Sequence, residues 1–347
     1  SSYLKGRSFV RTRPRRSPRG WIIVKGARRN NLKGVSVAFP LGILCAIGGV
    51  SGSGKSTLVD VLAEGLREMR KGSVPHGVDA IEIRGGVQKV VVVDQSPPGR
   101  DPRSNPATYT GAFRFIREIF SRTYAARVKG WGPERFSFNV RGGRCEVCKG
   151  QGRVRVKLGF LPEVFVTCEH CGGTRYEREV LEVKYKGLNI AEVLDMTVNE
   201  AVGFFRNIPQ VKERLEPLKW VGLGYLKLGQ PLSTLSGGEA QRLKMARELV
   251  SGPRDTLYIL DEPTTGLHPT EVQKLIGLLD RLLDEGASIV VIEHNIDFLL
   301  QADYIIELGP GGGDEGGEVV LEGPPEEVLR DPRSSLSGHL RRLKGEP

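Results

Sequence analysis

Apolar residues along the chain fall into two rhythms. Short continuous runs of β-branched and aliphatic residues recur as ILCAIGGV (43–50), KVVVVDQ (89–95), TLYILDEP (256–263) and SIVVIEH (288–294). Each is strand-length and bounded by turn residues, so each predicts a buried strand. Between them, apolar residues spaced three and four apart predict helices from Leu58 to Arg67, over 110–128, from Ser236 to about Val250, and over Glu271–Asp284. In the 110–128 stretch, Phe113, Ile116 and Phe120 fall on one face. Upstream, WIIVKGARRNNLKGVSVAF (21–39) reads as two β-rich runs joined by a hairpin turn at NNLKG. The alternation of strand and helix is an α/β pattern. Pro14, Pro18 and repeated Arg mark residues 1–20 as a linker, and the proline-rich segment 97–106 as the departure point of an insertion. Gly309–Gly317 reads as a loop, and there is no convincing internal repeat.

Composition narrows the picture modestly. A chain of 347 residues, 39% hydrophobic and 27% charged, has room for roughly two domains. No apolar run reaches the ~18 residues of a membrane span, so no membrane partner is expected. The basic N-terminus lacks the apolar stretch of a signal peptide, and a chain that opens on Ser is expected to be a piece of a longer one. Cysteines with a metal explanation, described below, favour a reducing cytoplasm over a disulfide framework. The net charge is +10, with no Asp or Glu before Asp60 and a second basic stretch from Arg114 through Arg117, Arg122, Arg127, Lys129, Arg135, Arg141 and Arg144. Such clustering favours a polyanion, DNA or RNA, although a solvated surface with a flexible tail has the same composition.

The strand ILCAIGGV runs into Gly49-Val50-Ser51-Gly52-Ser53-Gly54-Lys55-Ser56, which satisfies G-x-x-x-x-G-K-[ST] with a strand before and a helix after. Glycines let successive N–H groups face phosphate oxygens, and the helix N-terminus adds a positive field. ATP is therefore the expected ligand, held by Gly49, Ser51, Gly52, Ser53, Gly54, Lys55, Ser56 and Thr57. Lys55 is expected at the β/γ-phosphates and Ser56 on Mg²⁺. The strand 257–260 delivers Asp261, expected to hold Mg²⁺ through water, and Glu262, expected to polarise the attacking water. Gln95 and His294 each end a strand and are candidates for the metal or water and for the γ-phosphate. A structural role for either is equally compatible with spacing alone.

Cys145, Cys148, Cys168 and Cys171 form two C-x2-C pairs with spacing suited to a four-thiolate zinc site. Four thiolates at ~2.3 Å leave no open position, so the Zn²⁺ is expected to be structural and His170 a bystander. Residues 153–166 read as a hairpin with Arg153, Arg155 and Lys157 on one strand face. With Arg114 and Arg117, these are the candidate DNA contacts.

Other strings resemble a known family. Leu235-Ser236-Gly237-Gly238-Glu239, LYILDEPTTGLHP and IEHN stand in the order seen in ABC ATPases. VVDQSPPGRDPRSNPATYTG, RFSFNVRGGRCEVCKGQG and CEHCGGTRY further resemble the C-terminal half of the UvrA family of nucleotide excision repair, from about Tyr3 to about Leu340. The resemblance implies an ABC-type P-loop ATPase with an inserted helical signature domain carrying a four-cysteine zinc module. It divides the chain into a basic linker (1–20), an ATP-binding domain in two parts (21–105 and 257–347) and the insertion (106–256, zinc module 145–171). It implies that Ser236, Gly237 and Gly238, whose helix-opening N–H groups suit a γ-phosphate, serve nucleotide held by another ATPase half. It also implies Gln95 and His294 in the roles above. The partners implied are double-stranded DNA, a second ABC half (an absent N-terminal half or a homodimer partner) and, in the full-length context, a UvrB-type repair helicase. Only one ATPase half is present here, and Pro98 and Pro269-Thr270 depart from the family pattern. A non-hydrolysing DNA-binding module and an ABC ATPase of transport or translation type remain alternatives.

Overall fold

The computed structural model describes residues 14–73, 75–94, 96, 98–99, 101–156, 164–251 and 255–337. Two compact units divide the chain: Ser1–Gln95 with Gly252–Pro347, and the intervening Ser96–Ser251.

The first unit holds β1 (Gly20–Ala27), β2 (Val35–Leu41), β3 (Leu44–Gly49), β4 (Ala80–Arg84) and β5 (Lys89–Val93). The second unit contributes β6 (Arg153–Val156) and β7 (Val164–Thr167) before the first resumes with β8 (Thr256–Asp261), β9 (Ser288–Ile292), β10 (Tyr304–Gly309) and β11 (Glu318–Gly323). The main sheet runs β11-β10-β3-β9-β8-β5. It is parallel except for β11, which pairs antiparallel with β10. Every residue of β3 and β9 is buried, as expected for strands covered on both faces. A smaller antiparallel sheet, β2-β1-β4, includes the hairpin expected at NNLKG. β4 is an addition: Ile81 and Ile83 alternate with Glu82 and Arg84, a short strand signal that sequence reading passed over.

Helix Lys55–Arg70 buries Leu58, Val59, Leu62 and Leu66 in the core formed with Ile22, Phe39, Ile47 and Ile259. Helix Pro269–Asp284 starts two residues before its expected position, because His268 and Glu271 form a reciprocal cap around Pro269. Among the described residues of the acid-free N-terminal stretch, several arginines pair with carboxylates distant in sequence. Arg15 pairs with Glu326, Arg28 with Asp79 and Arg29 with Glu64, while Arg16 reaches Asp280 at 3.0 Å and Asp284 at 2.6 Å.

In the second unit, helix Ala112–Ser121 buries Phe113, Ile116 and Phe120, the face anticipated from spacing. It stops short of residue 128 because Thr123 caps a separate helix, Tyr124–Val128. Phe113 stacks on Phe138 at 4.9 Å, and the Tyr176 hydroxyl donates to the Phe136 carbonyl at 3.0 Å. Helices Ile190–Asp195, Val198–Phe204 and Pro209–Trp220 occupy a region without a clear sequence period; the first two carry capping boxes. β6 and β7 pair antiparallel as the expected hairpin, and Lys157 lies outside the described residues.

Candidate functional site

Because β3, β9 and β8 are parallel neighbours, the segments leaving their carboxyl ends emerge together. Gly49 ends β3 at φ 125°, and a Cβ there would lie 2.0 Å from the Leu308 carbonyl oxygen. Only glycine lets the chain turn away from β10 at that point. Gly54, at φ 99°, caps helix Lys55–Arg70, so Lys55, Ser56 and Thr57 present N–H groups without intrahelical acceptors. The Lys55 ammonium folds back over the loop and donates to the carbonyls of Gly49 (3.1 Å) and Val50 (2.7 Å). Ser53 is fully buried, and its hydroxyl has no hydrogen-bond partner among the described residues. Outside the loop, the Gly313 N–H donates to Gly52 O at 3.0 Å and the Gly317 N–H to Ser53 O at 3.0 Å. The Asn31 side chain donates to Gly52 O at 3.0 Å and Gly313 O at 3.2 Å. This bracing was not legible in sequence, where 309–317 reads only as a loop.

Asp261 ends β8, and Glu262 follows in a left-handed conformation, φ 45°, with its N–H donating to Ile292 O at 3.0 Å. His294 Nε2 stands 3.1 Å from Glu262 Oε1. Burial first, then the charges of Glu262, Asp60 and Asp94, raise the Asp261 carboxyl, with His294 opposing. Burial lowers the Lys55 ammonium, while Glu262 and Asp261 pull it back up. A buried acid crowded by other acids is relieved by a bound cation, which fits this donor set to Mg²⁺. Gln95 lies outside the described residues. Glu293, which sequence reading passed over, is 2% exposed, and its carboxylate accepts the N–H groups of Thr264, His294 and Asn295. An ionisable residue closing an apolar strand was the available signal.

In the second unit, Ser236 and Glu239 cap helix Gly237–Ser251 reciprocally, with Ser236 N–H to Glu239 at 2.7 Å and Glu239 N–H to Ser236 Oγ at 3.3 Å. The Ser236 amide is therefore engaged, and the helix-opening donors without intrahelical acceptors are those of Gly237 and Gly238. The thiols of Cys145, Cys148, Cys168 and Cys171 all lie within 4.8 Å of one another. Cys148 and Cys171 are 3.8 Å apart, the edge of a tetrahedron with ~2.3 Å zinc–sulfur bonds, about 3.8 Å. The Gly152 N–H donates to Cys148 Sγ at 3.2 Å. His170 Nε2 lies 4.0 Å from Glu177 Oε2, and with Cys145 these make a second close group.

Beside the thiols, Pro102, Val147, Lys149, Arg153, Arg155 and Phe165 help line a cavity of 440 Å³. Val147 and Phe165 are 58% and 52% exposed. Arg114 and Arg117 are not in this lining: Arg114 pairs with Glu118 at 3.1 Å, and the Arg117 guanidinium sits 5.5 Å from the Phe113 ring. Lys129, Arg135 and Arg144 likewise pair with Glu182, Glu179 and Glu146. The basic stretch is thus partly neutralised within the unit.

Residues 32–265 match the ABC transporter family. UvrABC system protein A of Aquifex aeolicus is 53% identical over 98% of this chain and 38% of that protein. The protein of the same name from Thermus thermophilus is 55% identical over 94% of this chain and 35% of its own length. The chain thus spans little more than a third of these relatives. The crystal structure of UvrA2 from Deinococcus radiodurans superposes with a TM-score of 0.90 at 46% identity, covering 99% of this chain and 42% of that one. The chain belongs to the ABC transporter family and, over nearly its whole length, is homologous to UvrABC system protein A.

Proposed function

We propose that this chain is an ATP-hydrolysing half of a UvrA-type DNA repair protein, in which nucleotide turnover controls the grip on duplex DNA. The observation that carries the hydrolytic part is the convergence of Lys55, Asp261, Glu262 and His294 at the carboxyl ends of three adjacent strands. Lys55 exchanges its loop carbonyls for β- and γ-phosphate oxygens, and the amides of Gly52 to Ser56 cradle the phosphates. Ser56 and Asp261 hold Mg²⁺, which when bound neutralises charge building on the phosphates. Glu262 accepts a hydrogen bond from the attacking water and orients it. His294, within reach of Glu262, completes the polar wall toward the γ-phosphate, and Gln95 is assigned to the metal and water side. Ser236, Gly237 and Gly238 serve nucleotide bound to a second ABC half.

The insertion 106–256 is the signature domain of this reading, between two parts of the ATP-binding domain, 21–105 and 257–347, after a basic linker, 1–20. Its four cysteines hold a structural Zn²⁺. DNA is the proposed partner because the relatives are named for the UvrABC system and the cavity beside the thiols is cationic without a carboxylate in its lining. A UvrB-type helicase is a partner of the full-length context. Steady-state ATPase rate against protein concentration, with and without duplex DNA, tests the reading. A rate that rises faster than linearly and responds to DNA supports paired halves, whereas no hydrolysis at any concentration, with an added N-terminal half or without, removes the enzymatic assignment.

A further inference from the structure

The His294–Glu262 approach depends on two turns that leave different strands, and one buried side chain ties them together. Glu293 follows β9 directly and is 2% exposed. Its Oε1 accepts the Thr264 N–H at 2.9 Å, from the turn after β8. Its Oε2 accepts the N–H groups of His294 at 3.0 Å and Asn295 at 3.2 Å, in the turn after β9. The Glu293 N–H itself donates to Ile47 O at 3.1 Å, on the strand that runs into the phosphate loop. Three strand ends therefore meet on this residue. The left-handed backbone of Glu262 lies two residues before Thr264, so the clamp also fixes a segment that would otherwise relax toward a commoner conformation.

The chemistry requires a carboxylate. Three N–H donors arrive on the two oxygens, and an ionised carboxyl accepts all of them. A glutamine of the same shape offers one oxygen and one NH₂, which turns a donor against the donors of one turn or the other. Burial makes that mismatch costly, because the low local dielectric raises the cost of an unpaired polar group. We propose that Glu293 is a positioning residue for hydrolysis: its carboxylate locks the turns after β8 and β9 so that His294 and Glu262 stay in register. Glu293 touches neither nucleotide nor water in this role, and the inference rests on the hydrolytic reading above.

The test is Glu293→Gln, with Glu293→Asp as a second variant that keeps the charge but is one methylene too short to span both turns. Displacing a catalytic pair by about 1 Å can cost ~10²-fold in rate, so kcat is expected to fall by roughly 10- to 100-fold in both variants. Nucleotide dissociation constant and KM should stay within about threefold, because the phosphate loop keeps its own hydrogen bonds. Amide hydrogen exchange is read in parallel at Thr264, His294 and Asn295, where protection should drop in both variants while β3 and β9 stay protected. Unchanged kcat with unchanged protection, or losses of kcat and affinity in equal proportion, would overturn the proposal. If the wild type itself shows no turnover, the hydrolytic reading fails, and retained protection at these three amides then overturns the clamp separately. Should the glutamine variant not fold, the aspartate variant decides on the same readouts.

Discussion

Gly49→Ala isolates the geometry that starts the phosphate loop. The added methyl would lie 2.0 Å from the Leu308 carbonyl oxygen, and Leu308 is the residue paired with Gly49 across β3 and β10. Non-bonded heavy atoms normally keep about 3.5 Å apart, so β3 or β10 must move by something on the order of 1.5 Å. Two costs add. Holding a non-glycine residue at φ 125° costs about 1–3 kcal/mol, and overpacking a filled site costs about 1–3 kcal/mol. The sum, roughly 2–6 kcal/mol, is a large share of a typical stability of about 5–15 kcal/mol. With a urea dependence of about 1–3 kcal/mol per molar, the unfolding midpoint of the first unit should drop by at least ~0.7 M. Gly277→Ala supplies the control of opposite sign. That glycine lies inside helix Pro269–Asp284 with nothing beyond its chain neighbours and the helix's own backbone within 4 Å of an added Cβ, so alanine should stabilise by about 0.5–1 kcal/mol. Urea unfolding with nucleotide titration reads both variants. Gly49→Ala should lose stability and nucleotide affinity together while Gly277→Ala gains stability. A Gly49→Ala protein with wild-type midpoint and wild-type affinity would refute the reasoning.

Further expectations concern the sites in turn. Glu262→Gln should retain nucleotide and slow turnover by about 10²–10⁴-fold; single-turnover hydrolysis at the wild-type rate would remove the water-orienting role. Protein purified without chelator should carry about one zinc per chain, and Cys168→Ser should release it and loosen the second unit while nucleotide still binds the first; elemental analysis finding no zinc contradicts this. Arg16→Ala removes pairs with Asp280 and Asp284 and should cost on the order of 1 kcal/mol, discounted for the exposed Asp284, with no change in DNA affinity. For pH, the raised Asp261 carboxyl means the folded chain holds that proton at higher pH than the unfolded chain does. Stability without Mg²⁺ should therefore fall as pH rises from the ordinary Asp range through the raised value, and Asp261→Asn should flatten that fall in a melting series.

What sequence reading captured was where the candidate residues stand on regular elements. The phosphate loop, Asp261, Glu262 and His294 each stand at the end of an apolar run, so strand recognition places them without knowledge of the sheet order. The cysteine spacing survives for the same reason, since each C-x2-C pair is one turn. What it could not capture depends on which strands are neighbours. Glu293 gains its meaning only because β8 and β9 are adjacent, and Gly49 only because β10 lies beside β3. Charge was the least reliable guide. Arg15, Arg16, Arg28 and Arg29 read as an uncompensated run, yet their partners lie between 35 and 311 residues away. In the insertion, Lys149, Val147 and Phe165 join Arg153 and Arg155 around one cavity through the β6–β7 hairpin, a grouping that sequence spacing hides.

The central claim is that an ATPase half grips DNA through the cationic face beside its cysteine cluster. Duplex affinity measured across a salt series, with and without ATP, addresses it most directly, using wild type and a variant with Lys149, Arg153 and Arg155 changed to Ala. Each phosphate neutralised contributes roughly 0.9 to the slope of log affinity against log salt, so losing up to three contacts should flatten the slope by up to ~2.7. The account predicts that flattening, equally for duplexes of unrelated sequence, with ATP shifting wild-type affinity. Identical slopes for variant and wild type, or duplex affinity indifferent to ATP, would contradict it.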